Sequence, residues 1–270
     1  MSSAPPPLER LHFVADAPIA GLAVAERRVA RPEATLICVH GGLDRGGSFA
    51  RLARRGDDFD VVAYDRRGYQ GSRALGPAAL DRHVDDLEAL IEREAALSLV
   101  ILLGHSFGGV ITFGAALRRP ERVALVVNYE SPLPWVKYRQ SSRPPLSDDA
   151  RFEAEQFFRR VVSNGAWERL SEHERESRRL DGPALIADLR GISPEIVPYD
   201  LSQLTTPASY VHGDGILAPY YRSLGRRLVA LNPAIEVREM QQANHGAHLS
   251  NPDQLLRIVR ERWSDVCASG

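Results

Sequence analysis

The stretch Leu99-Val100-Ile101-Leu102-Leu103-Gly104-His105-Ser106-Phe107-Gly108-Gly109-Val110 decides how the rest of the chain is read. It opens on an unbroken apolar run with β-branched members, the pattern of a strand buried on both faces. Val110, Ile111, Phe113, Ala116 and Leu117 then read as a helix. Between the two, Gly104-His105-Ser106-Phe107-Gly108 has the form G-x-S-x-G. In that tight strand-to-helix turn the glycines relieve crowding, and the Ser106 hydroxyl is lifted above the sheet toward the positive end of the helix. The competing reading is an ordinary Gly-rich turn. A serine held this way becomes a nucleophile only with a histidine, a carboxylate and N–H donors around it.

With 270 residues, 44% of them hydrophobic, the chain can bury a large core, and one α/β domain with an insertion suffices. The net charge is −1 with both signs interspersed, which leaves no basic face for nucleic acid and favours a small neutral substrate. Two cysteines, Cys38 and Cys267, do not make a disulfide framework. Met1–Arg10 lacks a basic segment followed by an apolar one, and no apolar run reaches membrane-spanning length. A cytoplasmic chain with no membrane contact is expected, as a monomer or homodimer.

In order along the chain, Leu11–Val14 and Ile19–Val24 read as short opening strands, and Thr35–Val39 as a buried strand running into His40-Gly41-Gly42-Leu43. Phe59–Tyr64 is the next strand, ending in Asp65-Arg66-Arg67-Gly68-Tyr69-Gln70-Gly71-Ser72. Leu80, Val84, Leu87 and Ile91 recur at helical spacing, while His83, Asp85 and Asp86 fall off that stripe and are expected on a solvated face. Val123–Val127 is a strand that delivers Asn128-Tyr129-Glu130-Ser131-Pro132 to the sheet edge where Ser106 sits. From Leu133 to about Leu201 the strand-helix alternation stops; Phe152, Gln156, Phe157 and Arg160 fit one helix, and Ser171–Arg179 reads as a solvated helical face. Strand signals resume at Pro207–Asp214, a helix follows through Leu231, and Ile235–Met240 is a last strand before Gln241–Ser250 and a closing helix.

The G-x-S-x-G turn, the His40-Gly41 loop and the Asp65–Ser72 stretch, which matches D-x-R-G-x-G-x-S, together resemble the α/β-hydrolase superfamily. The resemblance implies a mostly parallel eight-stranded sheet flanked by helices, with residues 1–132 and 201–270 as core and 133–200 as an inserted helical cap. It also implies that Ser106 is the nucleophile and that the residue after His-Gly, Gly42, and the residue after the serine, Phe107, donate to the oxyanion. The first histidine of its H-x-x-H-L pattern, His245, would be the base, with His248 the rival. Counting G-x-x-D from Gly213 for the acid reaches Ile216, which cannot orient an imidazole; Glu130, directly after a buried strand in a stretch similar to the Tyr-Glu-Pro-Pro of some members, is therefore expected to be the acid, with Asp214 the alternative. Leu43, Trp135, Tyr138 and Phe157 are expected to line the substrate pocket. The implied reaction is hydrolysis of a small, largely apolar ester with no metal or organic cofactor. A cofactor-free lyase or perhydrolase on the same triad, or a non-catalytic binding protein with this fold, stands as the alternative.

Overall fold

In the computed structural model, which describes residues 10–139 and 146–269, eight strands form one sheet. They are β1 (His12–Phe13), β2 (Val24–Arg27), β3 (Ala34–Val39), β4 (Phe59–Tyr64), β5 (Val100–His105), β6 (Val123–Tyr129), β7 (Ala208–Gly213) and β8 (Ile235–Met240). Their order is β1-β2-β4-β3-β5-β6-β7-β8, with β1 and β2 antiparallel and every other pairing parallel. Met1–Glu9 lie outside the described residues, as do 140–145 within the expected cap.

The helices are α1 (Ala50–Ala53), α2 (Leu80–Ala95), α3 (Phe107–Arg118), α4 (Ala150–Phe158), α5 (Asn164–Arg169), α6 (Glu172–Leu180), α7 (Gly182–Gly191), α8 (Ala218–Leu231), α9 (Ala247–Ser250) and α10 (Pro252–Ser269). Because successive strand residues face opposite ways, the central strands supply two cores. Ile37, Val39 and Leu102 pack with Val84, Leu87, Val110 and Leu228 on the side of α2, α3 and α8. Leu36, Cys38, Ile101 and Leu103 pack with Leu256, Val259 and Trp263 on the side of α10. Strands buried on both faces read as continuous apolar runs, which is why β3 and β5 stand out in the sequence.

Helices α4 to α7 are inserted between β6 and β7 and bury a small core of their own, in which Ala154, Phe158, Trp167 and Leu185 meet Leu43 and Tyr69 of the sheet domain. Asp149 caps α4 by accepting the Arg151 and Phe152 N–H groups, and Ser171 with Glu174 forms a capping box on α6. No residue of α6 is fully buried, as its charged sequence predicts.

Three local expectations need correction. The Ile19–Val24 segment is mostly a turn, because Gly21 takes φ +80° and Leu22 N–H closes back on the Ile19 carbonyl; the strand starts at Val24. The helix expected through Arg160 leaves α-geometry after Phe158 and reaches α5 through a wider π turn over Arg159–Ser163. His83 and Asp86 are buried rather than solvated, each about 1% exposed, since each has a polar partner off the apolar stripe: Asp188 faces His83 at 3.4 Å and Arg67 grips Asp86 at 2.7 Å.

Candidate active site

Ser106 stands at the junction of β5 and α3 with φ 53° and ψ −125°, a conformation a non-glycine residue adopts only when its surroundings impose it. Its N–H donates to the Tyr129 carbonyl at 2.9 Å and its carbonyl accepts the Gly109 N–H at 2.9 Å, so both flanks of the turn are pinned. Close approach explains the two motif glycines. A Cβ on Gly108 would fall 2.1 Å from the Val39 oxygen, and one on Gly104 would fall 2.5 Å from Asn128 Oδ1.

Glu130, at the end of β6, also has positive φ, 48°, and is buried. Its Oε2 lies 2.8 Å from His245 Nδ1, and its Oε1 accepts the Gly213 N–H at 3.0 Å. A carboxylate accepts only, so His245 carries its proton on Nδ1 and offers a lone pair at Nε2. The His245 carbonyl in turn accepts from His105 Nε2 at 2.8 Å, and the Tyr129 hydroxyl donates to the Asn244 carbonyl at 2.5 Å, which hold the loop after β8. Asp214 sits elsewhere in the network: it accepts the Gln242 and Ala243 N–H groups at 2.9 and 3.0 Å, and those bonds keep its carboxyl below the usual range. It anchors the root of the histidine loop. Ile216 is 96% exposed.

Gly42 and Phe107 border the same cavity as Ser106, Glu130 and His245, a space of about 580 Å³. Phe107 is the first residue of α3, so its N–H has no acceptor within the helix. The loop carrying Gly42 is braced from beneath. His40 Nδ1 donates to the Gly41 carbonyl at 2.7 Å and its Nε2 accepts the Arg66 N–H at 2.8 Å. Burial, aided by the nearby Arg66 charge, pushes this imidazole down to about 3 and keeps it neutral. Arg66, with no exposed surface, donates Nε to the His40 carbonyl at 3.0 Å and Nη2 to the Gly41 carbonyl at 3.2 Å, and meets Asp188 of α7 at 2.6 Å. Tyr69 adds its hydroxyl to Asp188 at 2.6 Å. Asp65 and Ser72 accept backbone N–H groups of Gly46, Gly71 and Ala23 and serve as scaffold.

Residues 36–258 match the family model described as the alpha/beta hydrolase family. The chain belongs to this family. Among curated relatives of this hydrolase, lipase LipV of Mycobacterium tuberculosis is 24% identical over 257 residues, covering 85% of this chain and 93% of the relative. RutD of Rhizobium rhizogenes, a protein named for carbamate hydrolysis, is 28% identical over 264 residues, covering 86% and 95%. Among solved structures, a thermophilic esterase from Thermogutta terrifontis superposes with a TM-score of 0.66 at 19% identity, covering 95% of this chain and 98% of that one.

The hydrolase's cavity differs in part from the expected lining. Tyr138 and Phe157 border it, whereas Leu43 and Trp135 do not. Leu43 turns away at φ 52° and packs among Tyr69, Phe158 and Leu185, and Trp135 borders a separate surface groove, against Tyr199. In their place α7 contributes Leu185, Asp188 and Leu189, and α8 contributes Tyr220 and Tyr221. Asp188 carried a signal in the sequence, a single acid within the apolar run Ala184-Leu185-Ile186-Ala187-Asp188-Leu189. Its partner Arg66 lies 122 positions away and could not be paired from spacing. Among the described residues, no helix is long and apolar enough to cross a membrane.

Proposed function

We propose that this hydrolase cleaves small, largely apolar carboxylic esters through Ser106, His245 and Glu130. The observation that carries the reading is the 2.8 Å contact between His245 Nδ1 and Glu130, beside a serine held in the strained turn of β5 and α3. His245 Nε2 takes the Ser106 Oγ proton as that oxygen attacks the ester carbonyl, and the Gly42 and Phe107 N–H groups receive the charge that develops on the carbonyl oxygen. Glu130 holds the imidazole in the required tautomer and stabilises it when charged. The imidazolium returns the proton to the departing alcohol; water, deprotonated by the same nitrogen, then releases the acid and frees the serine.

A cavity of about 580 Å³ lies in the size range of small-molecule sites, and Phe157, Leu185 and Leu189 give it an apolar wall. The similarity to a curated lipase supports an ester substrate. A cytoplasmic setting belongs to the same reading. Hydrolysis of short p-nitrophenyl esters tests it: Ser106→Ala and His245→Ala are each expected to lower kcat by about a thousandfold or more, and by similar amounts because the two act as a unit. His248→Ala is expected to spare kcat by comparison. Retained turnover in Ser106→Ala, or loss in His248→Ala with His245→Ala active, overturns it.

A further inference from the structure

Beside His245 lies a cluster that the acyl-transfer scheme leaves unused. Asp44 follows the Gly42 loop, His105 ends β5 and His248 sits in α9, and a ligand atom of each lies within 4.8 Å of the other two. His248 Nε2 is 3.0 Å from Asp44 Oδ2, His105 Nδ1 is 3.9 Å from the same oxygen, and the two rings lie 4.0 Å apart. His105 Nε2 faces the His245 carbonyl at 2.8 Å, and a carbonyl only accepts, so that nitrogen carries the ring proton.

His105 Nδ1 is therefore a bare lone pair, buried and without a hydrogen-bond partner among the described residues, turned toward a carboxylate that likewise only accepts. His105 Nδ1 and Asp44 Oδ2 are acceptors 3.9 Å apart with no proton between them, and a cation would satisfy both; Asp44 Oδ2 already accepts the Ser48 hydroxyl at 3.1 Å and pairs with His248 Nε2 at 3.0 Å, so binding would release the proton from His248 Nε2. A ring that gives one N–H to a backbone carbonyl and offers its other nitrogen inward is the arrangement metal-ligating histidines adopt.

We propose that Asp44, His105 and His248 bind one divalent transition-metal ion, with Zn²⁺ the best match to two imidazoles, one carboxylate and an open fourth position. Bonds of about 2.0 to 2.2 Å put tetrahedral ligand atoms about 3.3 to 3.5 Å apart, between the two separations to Asp44 Oδ2. The Asp44 side chain keeps 15% exposure, which gives the ion a route from solvent. Once bound, the ion ties together the loop of Gly42, the strand of Ser106 and the loop of His245.

The test uses the full chain, stripped with a chelator and titrated with Zn²⁺ by calorimetry and with Co²⁺ by visible absorption. One ion per chain and the intense absorption of nitrogen-ligated tetrahedral cobalt are expected, with a zinc-dependent rise in Tm. Asp44→Asn, which keeps the side-chain shape, and His248→Gln are each expected to weaken binding by more than about a hundredfold and to abolish the rise in Tm. Ser106→Ala and Cys267→Ser are expected to bind like wild type. Absence of saturable binding overturns the proposal, as does wild-type affinity in Asp44→Asn. If both ligand variants fail to fold, the weak absorption typical of oxygen-only ligation in the wild-type cobalt complex would itself overturn it.

Discussion

Glu130 divides its two carboxylate oxygens between His245 Nδ1, at 2.8 Å, and the Gly213 N–H, at 3.0 Å. The second bond fixes the carboxylate so that the first has one geometry. Glu130→Gln keeps the shape but lets an amide face Nδ1, which favours the wrong tautomer and no longer stabilises the charged ring. Its kcat on a short p-nitrophenyl ester is expected to fall about a hundredfold or more, while Asp214→Asn falls much less. The reverse ranking would move the acid to the loop after β7.

Asp188→Asn is expected to destabilise the fold by about 3 to 5 kcal/mol, because it leaves the guanidinium of Arg66 buried without its counter-charge. Replacing both partners with apolar residues, Arg66→Met with Asp188→Leu, is expected to cost less than Asp188→Asn by itself. Urea unfolding of the three proteins measures this. A loss under about 1 kcal/mol in Asp188→Asn would mean that the bonds from Arg66 to the His40 and Gly41 carbonyls neutralise it unaided.

Buried neutral histidines set the acid limit. His40 is lowered from 6.5 to about 3, first by burial, and His83 and His105 are lowered in the same direction by the same cause. Between those two values the unfolded chain binds a proton that the folded chain refuses, so stability is full above about pH 6.5 and falls as the pH drops toward 3. Asp44 and Asp188, held below the usual carboxylate range, add a further loss below about pH 4. Unfolding free energy at pH 5 is expected to be at least about 2 kcal/mol below its value at pH 7. A flat profile between those pH values would contradict the burial of these rings in neutral form.

The sheet, its order of elements and the elbow at Ser106 were legible because each rests on local chemistry: continuous apolar runs for doubly buried strands, and glycines where Val39 and Asn128 leave no room for a Cβ. Glu130 was legible as the preferred acid over Asp214 from its place after a buried strand and from Ile216 at the usual acid position, whereas the path of the loop after β8 that carries His245 is encoded by no spacing. The cavity wall was the least legible part. Leu43 and Trp135 are apolar residues close in sequence to site residues, yet Leu43, at positive φ, packs into the core of the insertion and Trp135 packs against Tyr199, while Tyr220 and Tyr221 enter from a helix whose position relative to the insertion is set by tertiary packing. His83 and Asp86 depart from the expectation because polar residues off an apolar stripe are usually solvated, and the groups that satisfy them, the buried Asp188 and the half-buried Arg67, lie outside the helix.

Activation of Ser106 as a nucleophile is measured by its reaction with a fluorophosphonate, followed by intact-mass and peptide mapping. One adduct per chain on Ser106 is expected, at a rate that falls sharply in His245→Ala and in Glu130→Gln. A chain that stays unlabelled while folded, or one labelled elsewhere with Ser106 intact, would contradict the account and leave a binding protein that keeps the fold without its chemistry.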